Sequence, residues 1–348
     1  MLSIDGSHGE GGGQVLRTTL SIATAIGQSV RIFNIRAGRD KPGLRPQHLT
    51  AVNACTTISN AKVKGNSVGS TEITFIPNRV GSGDYTFDIG TAGSVNLLLQ
   101  TLIPPLLTAS GRSKVTVIGG TQNPFSPNSH YLVEVFVPLL RKLGANITVR
   151  HTKEGFYPQG GGRMELEVDG FGTAHPLSPL TLLQRGSLLS CSVLSAVARL
   201  PEHVNDGLVS VLNNYVKTLV PANKIERRRE NWDTKSPGCV ASIRLDYEHT
   251  ITAAFAIGKR GVSAEEIAQE AVDDLDKFVL CGDSFAVDRH LCDMLITILA
   301  FSMGKSRFTT TEITLHSLTN AEVVNIFYPN TVKITGSEGS PGTVEINM

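Results

Sequence analysis

Three times along the chain a helix-length apolar stretch ends near a glycine and gives way to a β-branched run. The first stretch ends in Ala25-Ile26-Gly27 before residues 32–35, the second in Ala109-Ser110-Gly111 before 115–118, and the third in Met303-Gly304 before 308–311. Glycine enters the left-handed conformation without a side-chain penalty, so each of these is predicted to sit just past a helix C-terminus, with a strand to follow. Small residues precede each stretch: Gly11-Gly12-Gly13, Gly90-Thr91-Ala92-Gly93-Ser94 and Gly282-Asp283-Ser284. The second half of the pattern recurs as well. Helix-like segments at 46–60, 128–144 and 319–328 lead into strand pairs at 61–64 and 71–76, at 146–150 and 164–168, and at 331–335 and 343–346. The repetition predicts three α/β units, each a small sheet carrying two helices on one face.

The spacing locates an interruption. Gly27 and Gly111 lie 84 residues apart and Gly111 and Gly304 lie 193 apart, which leaves 109 residues over in the third unit. That is enough for a small domain, predicted over 185–284, beyond the stretch His175-Pro176-Leu177-Ser178-Pro179. Within it, strand-like 188–194 and 241–245 accompany helices at 203–218 and 263–279, the latter opened by Ser263 as N-cap with Glu265 and Glu266 in its first turn. The expected fold is therefore α/β of the α+β type, with three repeated modules over 1–184 and 285–348 and an inserted smaller α/β domain over 185–284.

Composition narrows the class. The 348 residues are 41% hydrophobic and 18% charged, which supplies a core and excludes a disordered chain. Thirty-two basic against 31 acidic side chains leave a net charge of +1, which argues against a histone-like coat on nucleic acid while allowing a local basic patch. No apolar run reaches membrane-spanning length, and the opening Met-Leu-Ser-Ile-Asp has no signal-peptide character, so a cytoplasmic protein is expected. The five cysteines are scattered without a C-x-x-C pair and read as reduced thiols, not as a disulfide or zinc framework.

Three stretches carry candidate chemistry. In His8-Gly9-Glu10-Gly11-Gly12-Gly13-Gln14-Val15-Leu16-Arg17, glycines before a helix let backbone N–H groups approach an anion, and Glu10 is an oxygen ligand for a divalent metal. No Walker lysine follows, and the frame of a dinucleotide fingerprint is missing. The loop Arg36-Ala37-Gly38-Arg39-Asp40-Lys41-Pro42-Gly43-Leu44-Arg45 holds four cations in ten residues, followed by Gln47 and His48. Arginine forks match phosphate oxygens, and the neutral overall charge favours a terminal phosphate over a duplex. The third stretch, Thr314-Leu315-His316-Ser317-Leu318-Thr319-Asn320, is expected at the end of a strand just before a helix, where His316 is open to a role as base, metal ligand or nucleophile. His151, His175, His203 and His249 have no partners in sequence and read as surface residues.

Taken together these stretches resemble the RNA 3′-terminal phosphate cyclase family over essentially the whole chain. The resemblance rests on these three stretches. It rests also on Gln47-His48-Leu49-Thr50-Ala51-Val52, Gly119-Gly120-Thr121-x-Asn123-Pro124 and Gly155-Phe156-Tyr157-Pro158-x-Gly160-Gly161-Gly162. It implies the same fold of three repeated units with an insertion, and ATP-dependent conversion of an RNA 3′-phosphate end into a 2′,3′-cyclic phosphodiester. The implied path runs through a covalent histidine–AMP and an RNA-(3′)pp(5′)A intermediate, with Mg²⁺ or Mn²⁺ and with pyrophosphate and AMP as products. By the same resemblance His316 is the nucleophile and Glu10 a metal or phosphate contact. Gln100, Pro127 and His290-Leu291-Cys292-Asp293-Met294 line the ATP site, with Gln14 supporting the glycine turn. Arg17, Arg36, Arg39, Gln47 and His48 hold RNA or nucleotide phosphate. The family commonly shows Tyr-Leu-x-Asp-Gln where this chain has His290 and Met294, which removes a phenol and an amide but keeps Asp293. Two alternatives stand beside this reading. A cyclase-like branch of the family serves as a non-catalytic scaffold in ribosome assembly without the adenylating histidine, and enolpyruvyl transferases share a similar repeated unit.

Overall fold

The computed structural model describes residues 1–124, 126–172 and 177–348. In the first unit β1 (Leu2–Asp5) is followed by α1 (Gln14–Ile26), β2 (Val30–Phe33), α2 (Pro46–Ser59), β3 (Lys62–Lys64) and β4 (Ile73–Ile76), in the sheet order β1-β2-β4-β3. The second unit repeats the plan with β5 (Asp84–Asp88), α3 (Val95–Leu107), β6 (Arg112–Gly119), α4 (Ser129–Tyr131), α5 (Val137–Lys142), β7 (Asn146–Lys153) and β8 (Gly162–Asp169), ordered β5-β6-β8-β7. Between α4 and α5 the helix widens into a π-turn over Leu132–Phe136, so the single helix expected at 128–144 is three short pieces.

The third unit opens with β9 (Thr181–Leu182) and is then interrupted by β10 (Leu188–Ala198), α6 (Glu202–Leu219), β11 (Ile225–Asn231), β12 (Gly238–Tyr247), β13 (Ile251–Ile257) and α7 (Ala264–Val279). It resumes with α8 (Arg289–Leu299), β14 (Lys305–Thr310), α9 (Leu315–Phe327), β15 (Val332–Thr335) and β16 (Gly342–Asn347), ordered β15-β16-β14-β9. In all three units the first strand pairs parallel to the second and the rest of the ladder is antiparallel. The chain is thus a mixed α/β protein of small four-stranded sheets. The interruption lies between the first strand and the first helix of the third unit, and its sheet, β11-β10-β12-β13, is backed by α6 and α7. The stretch 175–179 expected ahead of that boundary falls partly outside the described residues; Leu177 and those after it lead into β9.

Apolar periodicity explains the layering. The helices of the three units face inward to one core that runs from Ile4 to Ile346, and α3 is nearly all inside it, with Leu99, Leu102, Ile103, Leu106 and Leu107 fully buried. The inserted elements bury a second cluster around Val197, Leu212, Ile243 and Leu275. Ser263 caps α7 as expected, accepting from the Glu266 N–H while Glu266 reaches back to the Ser263 N–H.

Two local expectations fail. Only Gly27 closes its helix in the left-handed region, at φ 69°. α3 stops at Leu107 after Pro104-Pro105, with Thr108 bonded back to Pro105, so Gly111 lies beyond it with an ordinary φ; α8 stops at Leu299, and Gly304, at φ 101°, belongs to the following turn. The last helix begins earlier than 319, because the Thr314 hydroxyl caps it by accepting from the Ser317 N–H. His316 therefore stands inside the first turn of α9 and not before the helix. Five strands lack a counterpart among the expected elements: β1, β5 and β9, the first strand of each unit, and β11 and β13 of the insertion. β11 is an edge strand of sequence Ile-Glu-Arg-Arg-Arg-Glu-Asn with most of its charges toward solvent, so it carries no apolar alternation.

Because Leu20 of α1 is fully buried in the shared core, Leu20→Ala is expected to lower unfolding free energy by about 2–5 kcal/mol, measured by urea denaturation.

Candidate active site

The glycine turn is shaped by what it must avoid. Gly9 (φ +58°) and Gly11 (φ +56°) adopt the left-handed region, and a Cβ on Gly11 would stand 3.0 Å from the Gly38 backbone of the arginine loop. A Cβ on Gly13 would lie 2.5 Å from His48 Nε2 and 2.7 Å from the Arg17 guanidinium. The bare backbone thus lets the two loops and α2 close together at the start of α1, whose N-terminus has no side-chain cap among the described residues.

A cavity of about 580 Å³ opens there, lined among others by Glu10, Gln14, Arg17, Arg36, Arg39, Gln47, His48, Gln100, Pro127, His290, Asp293, Met294 and His316. Stretches more than three hundred residues apart in sequence meet on one wall. Leu291 and Cys292 do not line it: α8 turns them away from the face of His290, Asp293 and Met294, and both are fully buried in the core.

At one end sits His316, half-exposed, its Nδ1 3.6 Å from Glu10 Oε2, while Arg39 donates to that same oxygen at 2.6 Å. Burial lowers the His316 pKa, and Arg17 and Arg39 lower it further against the opposing pull of Glu10. The imidazole is therefore neutral near pH 7, and its place in the first turn of α9 puts it in a field that favours anions.

The cations are differently engaged. Arg17 is buried deeply enough to bring its pKa down to about 10, yet stays charged at neutral pH, and donates to Gln14 Oε1 at 2.6 Å. Arg36, at φ 57°, donates to the Lys41 carbonyl (2.6 Å) and the Gly43 carbonyl (2.9 Å), so it builds its own loop as well as facing the cavity. His48 is held neutral, its pKa pushed down to about 3 by burial and by the surrounding Arg17, Arg36, Arg45 and Arg39. Its Nδ1 accepts the Arg45 N–H at 3.3 Å, which leaves Nε2 as the protonated nitrogen. Gln47 Oε1 accepts the Ser94 N–H at 3.1 Å, leaving its amide N–H₂ free of that bond.

A chain of amides joins the units beneath the site. Gln14 Nε2 donates to Asn320 Oδ1 at 2.9 Å, the Thr18 hydroxyl donates to the same oxygen at 2.7 Å, and Asn320 Nδ2 donates to the Asp293 carbonyl at 2.8 Å. Burial pushes the Asp293 carboxyl up to about 8, although the Thr314 hydroxyl donates to it at 2.5 Å. Gln100 Nε2 is buried with no hydrogen-bond partner among the described residues, an orphaned donor at the cavity wall.

The far end is aromatic. His290 lies partly buried, edge-on to Tyr131 at 5.7 Å and tilted on Phe255 at 5.9 Å, with Met294 and Pro127 nearby in the lining. Phe255, Asp274 and Arg289 also line the cavity, although nothing in the sequence marked them for it. Phe255 comes from β13, a strand absent from the expected elements, and Asp274 from α7, whose pattern reads as an ordinary amphipathic helix. Arg289 directly precedes the His290–Met294 segment, and it pairs with Asp274 at 2.7 Å. Of the histidines expected at the surface, His203 and His249 are exposed, His175 lies outside the described residues, and His151 is partly buried beside Glu154.

Neutral imidazoles, several guanidiniums, the Glu10 carboxylate and two helix N-termini around one cavity suit phosphate-bearing substrates, with an apolar slot at its end. The family described as RNA 3′-terminal phosphate cyclase matches residues 8–334. The chain is 40% identical to the RNA 3′-terminal phosphate cyclase of Nostoc punctiforme over 94% of each chain. It is 40% identical to that of Staphylothermus marinus over 100% of this chain and 98% of the relative, and 38% identical to that of Koribacter versatilis over 97% and 93%. The chain belongs to the RNA 3′-terminal phosphate cyclase family and is an enzyme of that kind. Among the described residues no helix is long and apolar enough to cross a membrane.

The partly buried Asp293 gives a pH signature. An unfolded chain ionises this carboxyl near 3.8 and the folded one near 8, so the folded state holds the extra proton in between and stability falls as pH rises across that window. Urea unfolding of Asp293→Asn at pH 5 and pH 8 is expected to show a smaller loss across the window than wild type; an equal loss would place the titration elsewhere.

Proposed function

We propose that this enzyme uses ATP to convert an RNA 3′-phosphate end to a 2′,3′-cyclic phosphodiester, with His316 as the nucleophile. The observation that carries this reading is the neutral His316 imidazole at the α9 N-terminus, with Glu10 at its Nδ1 and Arg17 and Arg39 in the same cavity. Glu10, 3.6 Å from Nδ1, favours the tautomer that carries its proton on that nitrogen, which leaves the Nε2 lone pair for attack. Nε2 bonds to the α-phosphorus of ATP and the α–β bridging oxygen leaves with pyrophosphate. The RNA 3′-phosphate oxygen then displaces His316 from that phosphorus, giving RNA-(3′)pp(5′)A. Finally the adjacent 2′-hydroxyl attacks the RNA phosphorus, loses its proton, and AMP departs. A phosphomonoester dianion repels nucleophiles and lacks a leaving group; adenylation supplies one, and ring closure is intramolecular.

The adenine fits the slot of Phe255, His290, Met294 and Pro127, where Met294 offers a soft thioether in place of an amide. Gln100 finds in the nucleotide the acceptor that its buried amide lacks. Arg17, Arg36, Arg39 and Gln47 neutralise and orient phosphate oxygens. His48 keeps the glycine turn and α2 in register through the Arg45 N–H on its Nδ1, and its neutral Nε2–H serves as a donor to a phosphate oxygen in the cavity. A hard oxygen donor among phosphates suits Mg²⁺ or Mn²⁺, so Glu10 fits a metal that would supply charge neutralisation at the transferring phosphorus. Residues 185–284 form an inserted domain whose Phe255 and Asp274 complete the nucleotide end of the cavity, in a protein of the cytoplasm.

Incubation with α-labelled ATP and Mg²⁺ or Mn²⁺, followed by denaturing electrophoresis, tests the first step. Wild type is expected to retain an acid-labile, alkali-stable label that His316→Ala lacks entirely. An unlabelled wild type under both metals would leave the family's scaffold branch as the better description. The charge environment adds a second test. Removing a neighbouring cation stabilises the imidazolium, so the acid limb of the labelling rate should move to higher pH in Arg39→Ala than in wild type. An unmoved limb would show that Arg39 does not tune His316.

A further inference from the structure

Away from the cavity's charged wall, three side chains from different elements converge without a role in the reaction above. They are His130 of α4, His151 of β7 and Glu154 just after β7. Glu154 Oε1 lies 3.2 Å from His130 Nε2 and 3.0 Å from His151 Nε2, and the three ligand atoms all fall within 4.8 Å of one another. All three side chains are at most 18% exposed. A tetrahedral zinc ion with bonds of about 2.0–2.1 Å sets its donor atoms about 3.3 Å apart, close to both short edges of this triangle.

The surroundings are those of a built site. Glu154 Oε2 is turned away and held by the Thr121 hydroxyl and by Gln122 Nε2 at 2.9 Å, so Oε1 alone is offered to the histidines. On the far side of the His130 ring, Nδ1 faces Glu134 Oε1 at 3.4 Å. Glu134 is fixed in turn by Arg228 at 2.7 Å and Arg244 at 3.4 Å, both from the inserted sheet. A carboxylate behind a histidine selects the tautomer whose other nitrogen carries a free lone pair, the usual arrangement behind a metal-bound imidazole. The Trp232 indole stacks on His130 at 5.6 Å and an interplanar angle of 13°, fixing its plane. His151 Nε2 is buried and makes no hydrogen bond among the described residues: Glu154 is close but off its bonding direction.

We propose that His130, His151 and Glu154 form a zinc site, separate from Glu10, with the fourth coordination position taken by water or a small ligand. Two imidazoles and one carboxylate are a donor set suited to Zn²⁺ and poorly suited to Mg²⁺. The site clamps the 121–130 segment, which carries Pro124, Ser126 and Pro127 to the cavity, onto the end of β7 and against Trp232. It also borders a second cavity of about 820 Å³ to which Gln122 and Phe156 contribute.

The test is zinc stoichiometry in the full-length enzyme. Purified protein is incubated with Zn²⁺, freed of excess by gel filtration, and analysed for metal by mass spectrometry. Wild type and Glu10→Gln are expected to retain about one zinc per chain, and His130→Ala, His151→Ala and Glu154→Gln to fall to background. Glu134→Gln should weaken affinity by about 10–100-fold, read by competition with a chelating dye, without removing the site. Should Glu154→Gln fail to fold, His151→Ala at the rim and the visible spectrum of the Co²⁺-loaded wild type, tetrahedral in intensity, carry the test. Equal zinc in wild type and all three ligand variants, or an octahedral cobalt spectrum, overturns the proposal. So does a wild type that takes up no zinc; the cluster is then an ion-paired network in which Glu134 and Glu154 keep His130 protonated up to about 9.

Discussion

The buried amide of Asn320 is the joint on which the rest of the site depends. Its oxygen takes two donors from α1, 302 and 306 residues away in sequence, and its nitrogen gives one bond to the backbone of α8. Both donors reach that oxygen directly, and an apolar replacement would strand Gln14, Thr18 and the Asp293 carbonyl together. Because Gln14 also receives Arg17, and Arg17 stands beside Gly13, the joint sets the position of the glycine turn relative to α9. His316 and Glu10 are carried on the two sides of that joint. Their 3.6 Å separation is thus a property of how the first unit packs on the third, and neither loop could set it alone.

The same logic explains the electrostatics. Four arginines, two from one loop, one from α1 and one from α8, crowd a cavity with few carboxylates. Crowding on this scale is costly in a closed space, and the structure answers by tying Arg36 to carbonyls, Arg39 to Glu10 and Arg289 to Asp274. It also keeps every nearby histidine neutral: His48, His290 and His316 are all shifted downward. A polyphosphate entering such a space meets positive charge already desolvated and oriented.

How much of this is legible in the amino-acid sequence depends on whether the signal is local. The repeat is legible because each unit reuses one short pattern, and α1, α2 and α7 begin or end within a residue or two of the places their caps indicate. Boundaries fail where one local sign outcompetes another, as when Pro104-Pro105 ends α3 before its glycine and the Thr314 cap starts α9 early. The glycine turn and the arginine loop announce themselves by composition. Phe255 and Asp274 do not, because a phenylalanine in an apolar strand and an aspartate on an amphipathic helix have no reason, in sequence, to face a cavity. Helical phase likewise separates Leu291 and Cys292 from their neighbours in one contiguous motif. His130 and His151 stand 21 residues apart on a helix and a strand, at a spacing that matches no local metal motif.

The placement of the interruption has a further consequence, in the order of events during folding. The first two units are contiguous, and their longest ladders close over loops of a few tens of residues. β9, by contrast, is two residues long and pairs with β14 across the whole inserted sheet, Thr181 with Arg307. Loop-closure entropy makes so short a ladder at so great a separation a poor nucleus. The third unit thus assembles only after the inserted elements have folded and shortened the effective distance between its ends. On the ribosome the first two units and the inserted sheet emerge before β14 does, so the half of the cavity that contains His316 is the last to exist. A chain stopped short of α9 would present the arginines and the glycine turn with nothing to complete them.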